Sequence, residues 1–220
     1  MIGIVIPAHN EERCLKSCLE SVLAAAEHSG LSGEPVRVMV VLDACDDGSR
    51  AITDTFSCVE ITEIDARSVG IARATGAHAL IESGARWIAC TDADTVVPPD
   101  WLVAQLSCDA DAVCGVVEVD DWSLHSSDVR SRYEAAYFDR EGHRHIHGAN
   151  LGVSSAAYVL AGGFPAMTAH EDVYLVRRLE ELQVRIAWSC AVRVKTSARL
   201  DCRAKEGFGD YLRALAGSAA

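Results

Sequence analysis

Basic residues are in deficit: 20 Lys and Arg stand against 32 Asp and Glu, a formal charge of −12. Nucleic acids and anionic membranes are gripped by dense Lys/Arg patches, so this deficit argues against broad binding to either. Any phosphate ligand must be held locally, by a metal ion or a few placed arginines. Long hydrophobic runs are missing too. No stretch reaches the roughly eighteen uninterrupted apolar residues of a membrane-spanning helix, and the N-terminus has neither the basic region nor the cleavage site of a signal peptide. A cytoplasmic protein is the expectation. The nine cysteines include no CxxC pair, and most fall inside apolar runs; they read as buried reduced thiols, which pack as small hydrophobes. Cys14 and Cys18 share a helix face, a slight hint of metal or redox chemistry. Internal repeats and low-complexity linkers are absent.

What remains is 220 residues, half of them hydrophobic, enough for one core and one active site. The first half alternates short apolar runs with amphipathic stretches, the pattern of a parallel sheet wrapped by helices. Strands are expected at IGIVI (2–6), VRVMVVLD (36–43), VEITEI and RWIACTDAD (86–94), with helices over 11–28, in DDGSRAITDTF, and over 66–84. Beyond these, 111–119 and 184–194 read as extended, and 123–140, 154–161, 170–182 and 205–216 as helical.

In open parallel sheets, ligands bind beyond the carboxyl ends of the strands. Pro7 to Glu11, Asp43 and Asp92 to Asp94 all fall at such ends, so three separated segments converge on one crevice. In TDADT (91–95), two carboxylates one residue apart suit a hard cation and its phosphates, although such pairs also occur as plain turn formers. His-Glu-Asp at 170–172 opens an apolar helix soon after the glycines of GGFP. Capping explains one of these acids; two acids and a histidine suggest a base presented to an acceptor hydroxyl. IPAHNEE (6–12) is a strand-to-helix connection facing DACDDGS.

The ordered set VIPAHNEE (5–12), VVLDACDDGS (40–49), ARSVGIARATGA (66–77), CTDADTVVPPDWL (90–102), GGFP (162–165) and HEDVYLVRRL (170–179) resembles the family 2 glycosyltransferases. The resemblance spans about residues 2–182. It implies the GT-A fold, a Rossmann-like, mostly parallel sheet flanked by helices in a single α/β domain over 1–220. The nucleotide-binding half would take about 1–95 and the acceptor-binding half about 96–220.

The resemblance also implies a nucleotide-sugar donor, UDP-linked in preference to GDP-linked, Mg²⁺ or Mn²⁺ as cofactor, and a small-molecule or glycan acceptor. Pro7, Ala8 and Glu11 would line the nucleobase and ribose pocket, and Asp43 would accept a hydrogen bond from the base. Arg67, Gly70 and Arg73 would lie near the nucleotide. Asp92 would sit by the ribose or the metal, and Asp94 would ligate the metal. Asp172 would be the general base, Glu171 would position the acceptor or support the loop, and Gly162 and Gly163 would shape the acceptor floor. A single base with in-line displacement implies inversion at the anomeric carbon.

The chain departs from the family pattern in places. The family's VVDDGS is spread into VLDACDDGS, which leaves Asp43 and Asp46 both able to meet the base; Asp43 is favoured because it ends the strand. No histidine follows His170, and the Gln-x-x-Arg-Trp motif of membrane synthases is missing. In the tail, Arg199 and Arg203 are candidates to close over the diphosphate as a flap. The alternating His143, His145 and His147 lack a fourth zinc ligand and suit an acceptor-side loop. Two rivals remain. One is an Asp-x-Asp phosphohydrolase, whose motif normally follows the first strand and not the fourth. The other is a nucleotide-binding protein without turnover, which has no need of Asp172.

Overall fold

The computed structural model describes residues 1–119, 121–199, 213, 214 and 216. Arg203 and most of the helix expected over 205–216 lie outside the described residues. The early apolar runs become strands because β-branched side chains fit a pleated backbone covered on both faces. Strand β1 (Ile2–Ala8) lies parallel between β2 (Val36–Asp43) and β4 (Trp87–Cys90), and β3 (Val59–Ile64) pairs parallel with the outer side of β2.

Helices α1 (Leu15–Ala26), α2 (Ser49–Thr53) and α3 (Val69–Glu82) connect these strands. Two of them start later than their periodicity predicts. Residues 11–14 form a turn in which the Cys14 and Leu15 amides both donate to the Glu11 carbonyl, at 3.0 and 2.9 Å. Ser68 caps α3, its hydroxyl accepting from the Ile71 amide at 3.4 Å.

Alternate residues of β1 feed two cores. Ile2, Ile4 and Ile6 pack with Leu15, Leu19 and Val22 of α1, whereas Val5 joins Leu80 of α3 on the opposite face. Gly3 lies under α3, where a Cβ would come within 2.9 Å of the Leu80 side chain. The sheet is thus sandwiched between helices, as expected for an α/β fold.

The second half is antiparallel at its centre. Strand β7 (Leu151–Ser154) runs antiparallel to both β4 and β6 (Ala112–Val119). Beyond β6 comes β8 (Ile186–Thr196), parallel to it, and then β5 (Thr95–Val96), antiparallel to β8. The eight strands run β3-β2-β1-β4-β7-β6-β8-β5. Helices α4 (Trp101–Ser107), α5 (Ser127–Ala136), α6 (Ser155–Ala161) and α7 (Glu171–Glu181) accompany these strands among the described residues.

Two further expectations are corrected. The fourth strand stops at Cys90 instead of 94, and the helix expected over 123–140 contracts to α5, because Ser126 caps it and Tyr137 turns extended. Strands β5 and β7 and helix α4 were not anticipated. Asn150, fully buried before β7, bridges a β6–β8 irregularity at Gly115/Val116: its amide donates to the carbonyls of Val116 (2.8 Å) and Val192 (2.9 Å) and accepts from the Trp101 indole (2.9 Å).

Candidate active site

The carboxyl ends of β1, β2 and β4 open into a cavity of about 680 Å³ lined by Pro7, Ala8, Glu11, Asp43, Asp92 and Asp94. Its other walls are the start of α3, residues 145–149, residues 168–173 and the chain after β8. Four of its loops carry non-glycine residues in the left-handed region, Asn10, Ala44, Arg67 and His170, with φ between 49° and 64°. Such conformations persist only where the surroundings enforce them, and they gather at functional sites.

On the strand-end side, the two carboxylates at strand exits have different surroundings. Asp43 is buried, and its two oxygens accept three backbone N–H groups, from Ala66 and Arg67 at 2.7 and 2.8 Å and from Ser68 at 2.7 Å. It therefore builds the loop that starts α3. Asp46 is tied to Asn10 at 2.7 Å and does not line the cavity, so of the two candidates only Asp43 faces the cleft. His9 closes the same corner with Nδ1 2.7 Å from the Asp43 carbonyl. A carbonyl only accepts, so Nδ1 carries the proton.

Asp94 has no such set of donors. Burial pushes its carboxyl up to about 7; Arg199 opposes the shift, and Asp92 and Glu11 add to it. Arg199 reaches this point because Thr95 pairs with Thr196, which sets the residues flanking β5 and β8 side by side. Its guanidinium forms a two-pronged pair with Glu11, both contacts 2.5 Å, and lies 3.2 Å from Asp94. The thiols of Cys14 and Cys18 are pushed up chiefly by burial and next by Asp94. Both thiols are therefore held in the protonated form at neutral pH.

The opposite wall is organised around Arg73. Its buried guanidinium contacts the carboxylates of Asp92 and Glu171. Asp172 accepts the Gly148 N–H at 2.7 Å on one oxygen and its own chain's Val173 N–H at 2.7 Å on the other. His147 lies 3.0 Å from the Tyr137 hydroxyl, and burial, reinforced by His145 and His143, drives its imidazole down to about 3, so the ring is neutral. His145 stacks on Tyr137 with centroids 4.1 Å apart.

The cavity thus gathers Pro7, Ala8, Glu11, Asp43, Arg67, Arg73, Asp92, Asp94, Glu171, Asp172 and Arg199. Three glycines fall elsewhere. The Gly70 N–H donates to the Met167 carbonyl at 3.0 Å, and a Cβ there would lie 2.2 Å from the Pro165 carbonyl, so Gly70 lets residues 165–167 cross α3. Gly162, at φ 88°, ends α6, and Gly163, at φ 73°, packs on Tyr158; neither lines the cavity. They set the path of the segment that carries Asp172.

The match to a family profile falls on the same framework: glycosyl transferase family 2, over residues 3–160. The chain belongs to glycosyl transferase family 2. Among solved structures, this family 2 chain superposes on Staphylococcus aureus TarS 1-349 in complex with UDP (TM-score 0.66, 13% identity, 89% of this chain and 60% of that one). It also superposes on the Pyrobaculum calidifontis mannosyltransferase PcManGT in complex with GDP-Man and Mn²⁺ (0.65, 18% identity, 97% and 60%). A third is GalNAc-T7 with UDP, GalNAc and Mn²⁺ (0.68, 14% identity, 91% and 44%). These likenesses establish the GT-A fold. The chain spans about 60% of the length of the first two. No curated protein sequence matches it. Among the described residues, no helix is long and apolar enough to cross a membrane.

Sequence reasoning passed over Gly148 and His9. The only cue to Gly148 was its place directly after the histidine alternation.

Among the described residues, no group of three or more His, Cys, Asp or Glu could by itself hold a metal ion. What the cavity offers is the half-buried carboxylate of Asp94, whose one side-chain ion-pair partner among the described residues is the Arg199 it shares with Glu11. That fits a hard divalent cation that takes most of its ligands from water and substrate phosphate, and does not fit a caged metal.

Proposed function

We propose that this family 2 chain is a metal-dependent inverting glycosyltransferase. It would move a sugar from a nucleotide-sugar, UDP-linked in preference to GDP-linked, to a hydroxyl of a small-molecule or glycan acceptor. The observation that carries this reading is that Asp94, just beyond β4, and Asp172, at the start of α7, line the same cavity. The nucleotides and Mn²⁺ held by the similar structures support it.

In this reading Pro7, Ala8 and Arg67 surround the nucleoside, and Asp43 acts by fixing the 66–68 backbone beneath it. Asp94 would hold Mg²⁺ or Mn²⁺, which would supply positive charge where the departing diphosphate gathers negative charge. Arg199 is placed to trade its carboxylate partners for phosphate oxygens. Asp172 takes the proton of the acceptor hydroxyl as the new bond to the anomeric carbon forms and the bond to the diphosphate breaks. Attack opposite the leaving group inverts the anomeric centre. Residues 1–95 would supply the donor side and 96–220 most of the acceptor side.

A melting-temperature panel of UDP, GDP, dTDP and CDP, each with Mn²⁺ or with EDTA, tests the donor half. UDP with Mn²⁺ should stabilise most, and EDTA should erase the effect. No stabilisation by any diphosphate under either condition would contradict the reading. Proton NMR of the first product tests inversion: the anomeric configuration should be opposite to that of the donor.

A further inference from the structure

Arg73 is only 3% exposed, and Glu171 only 2%. Sinking such a pair is a poor source of stability, because lost hydration offsets the attraction. Its place at the wall of the cleft needs another explanation. The guanidinium spans two segments: Nη2 contacts Asp92, two residues before Asp94, and Nη1 contacts Glu171, the residue before Asp172. Its Nε has no hydrogen-bond partner.

Gly148 adds the decisive constraint. A Cβ on it would lie 2.4 Å from the Arg73 Cζ, so the backbone at 148 rests directly on the guanidinium. The N–H of that same Gly148 donates to Asp172 Oδ2 at 2.7 Å. Asp172 is therefore steadied from two directions, through Glu171 along the chain and through Gly148 across the cleft, and both supports stand on one side chain. The residue before Glu171, His170, is held at φ 64°, a conformation that needs such enforcement.

We propose that Arg73 is a positioning residue for Asp172, a brace that sets the aspartate's carboxylate relative to the donor side through Asp92. This rests on Asp172 acting as the base. Arg73 touches neither the acceptor nor the proton; its work is geometric. Lysine cannot replace it, because a single ammonium lacks the planar fork that reaches two carboxylates and supports a peptide group.

The test uses Arg73→Lys and Glu171→Gln, with Asp172→Asn in parallel. Three quantities are read: kcat, the affinity for UDP with Mn²⁺, and the Gly148 amide resonance in a ¹⁵N-labelled sample. A displaced base should lower kcat about 100-fold in Arg73→Lys and Glu171→Gln, because small misplacements of reacting groups are costly. Nucleotide affinity should stay within about 3-fold, and the Gly148 amide should shift and exchange faster in both. The proposal is overturned if kcat and the Gly148 amide are unchanged, or if kcat, nucleotide affinity and melting temperature fall together, the mark of a purely structural residue. Should Arg73→Lys fail to fold, the isosteric Glu171→Gln decides by the same readouts. Parental transfer by Asp172→Asn would remove the base assignment itself, while the Gly148 amide would still report whether Arg73 holds that contact.

Discussion

On the strand-end side of the cleft, Glu11 and Asp94 share Arg199, and burial lifts the Asp94 carboxyl to about 7. On the far side, Arg73 sits between Asp92 and Glu171, and Asp172 is supplied by backbone N–H groups. Both corners hold more carboxylates than arginines; the first presents a carboxylate with few hydrogen-bond donors, suited to receiving a cation with a phosphate ligand. The second has its acids held by an arginine and by backbone N–H groups, so it is geometrically fixed before any substrate arrives. Preorganisation of this kind is what a base needs, whereas a carboxylate with few donors is what a metal-dependent donor site needs.

The largest effect should separate the two corners outright. Asp172→Asn is expected to lower kcat by about 10³-fold, within the span that general bases contribute, and to leave UDP–Mn²⁺ affinity unchanged in calorimetry. Asp94→Asn should do the reverse at the binding step: the Mn²⁺-dependent part of UDP affinity drops by roughly 100-fold, since one hard oxygen ligand is lost. Equal losses of affinity in both variants would erase the comparison.

A smaller effect sharpens it. Asp43 ends a strand as Asp94 nearly does, yet it is spent on three backbone N–H groups. Asp43→Asn sets an amide against donors and should cost about 2 kcal/mol of stability, or roughly 4–8 °C in melting temperature for a chain of this size. Retained stability with lost nucleotide binding would return Asp43 to direct recognition of the base.

The same sheet, far from the cleft, supplies the smallest effect. Hydrogen bonding to Arg86 holds the Glu34 carboxyl down to about 2 from its ordinary 4.5, and the two-pronged contact measures 2.7 and 2.6 Å. A depressed acid stabilises above its unfolded value, so this contribution is complete above about pH 4.5 and disappears as pH falls towards 2. Arg86 is more than half exposed, so the contribution is held to about 1 kcal/mol. Glu34→Gln should flatten that part of the stability–pH curve in urea melts and leave the neutral-pH kinetics untouched.

The strand-end carboxylates were far more legible in the sequence than the rest. Continuous β-branched runs announce β1 and β2, and acids directly after such runs must stand at strand ends, which placed Asp43, Asp92 and Asp94 at one edge. The far side of the cleft, and the arrival of Arg199 on the strand-end side, depend on pairings that no local pattern carries. Strand β7 is four residues long and flows into a helix, so LGVS shows no period of its own. Strand β5 is two residues long and exists only through its partner β8. Arg199 meets Glu11 across 188 positions of chain. The same limit applies to the glycines: Gly70, Gly162 and Gly163 stand beside chemically suggestive residues, and what the structure shows of them is a backbone crossing at Gly70 and the end of α6 at Gly162.

The central claim is that a cation on Asp94 and the carboxylate of Asp172 address one bound donor. Crystals grown with UDP and Mn²⁺, with data collected at the manganese edge, would test it most directly. The account predicts an anomalous peak bonded to an Asp94 oxygen and to the diphosphate, with Asp172 facing the same cavity and Arg199 released from Glu11. A manganese peak away from Asp94, or a nucleotide bound outside the cleft, would contradict it.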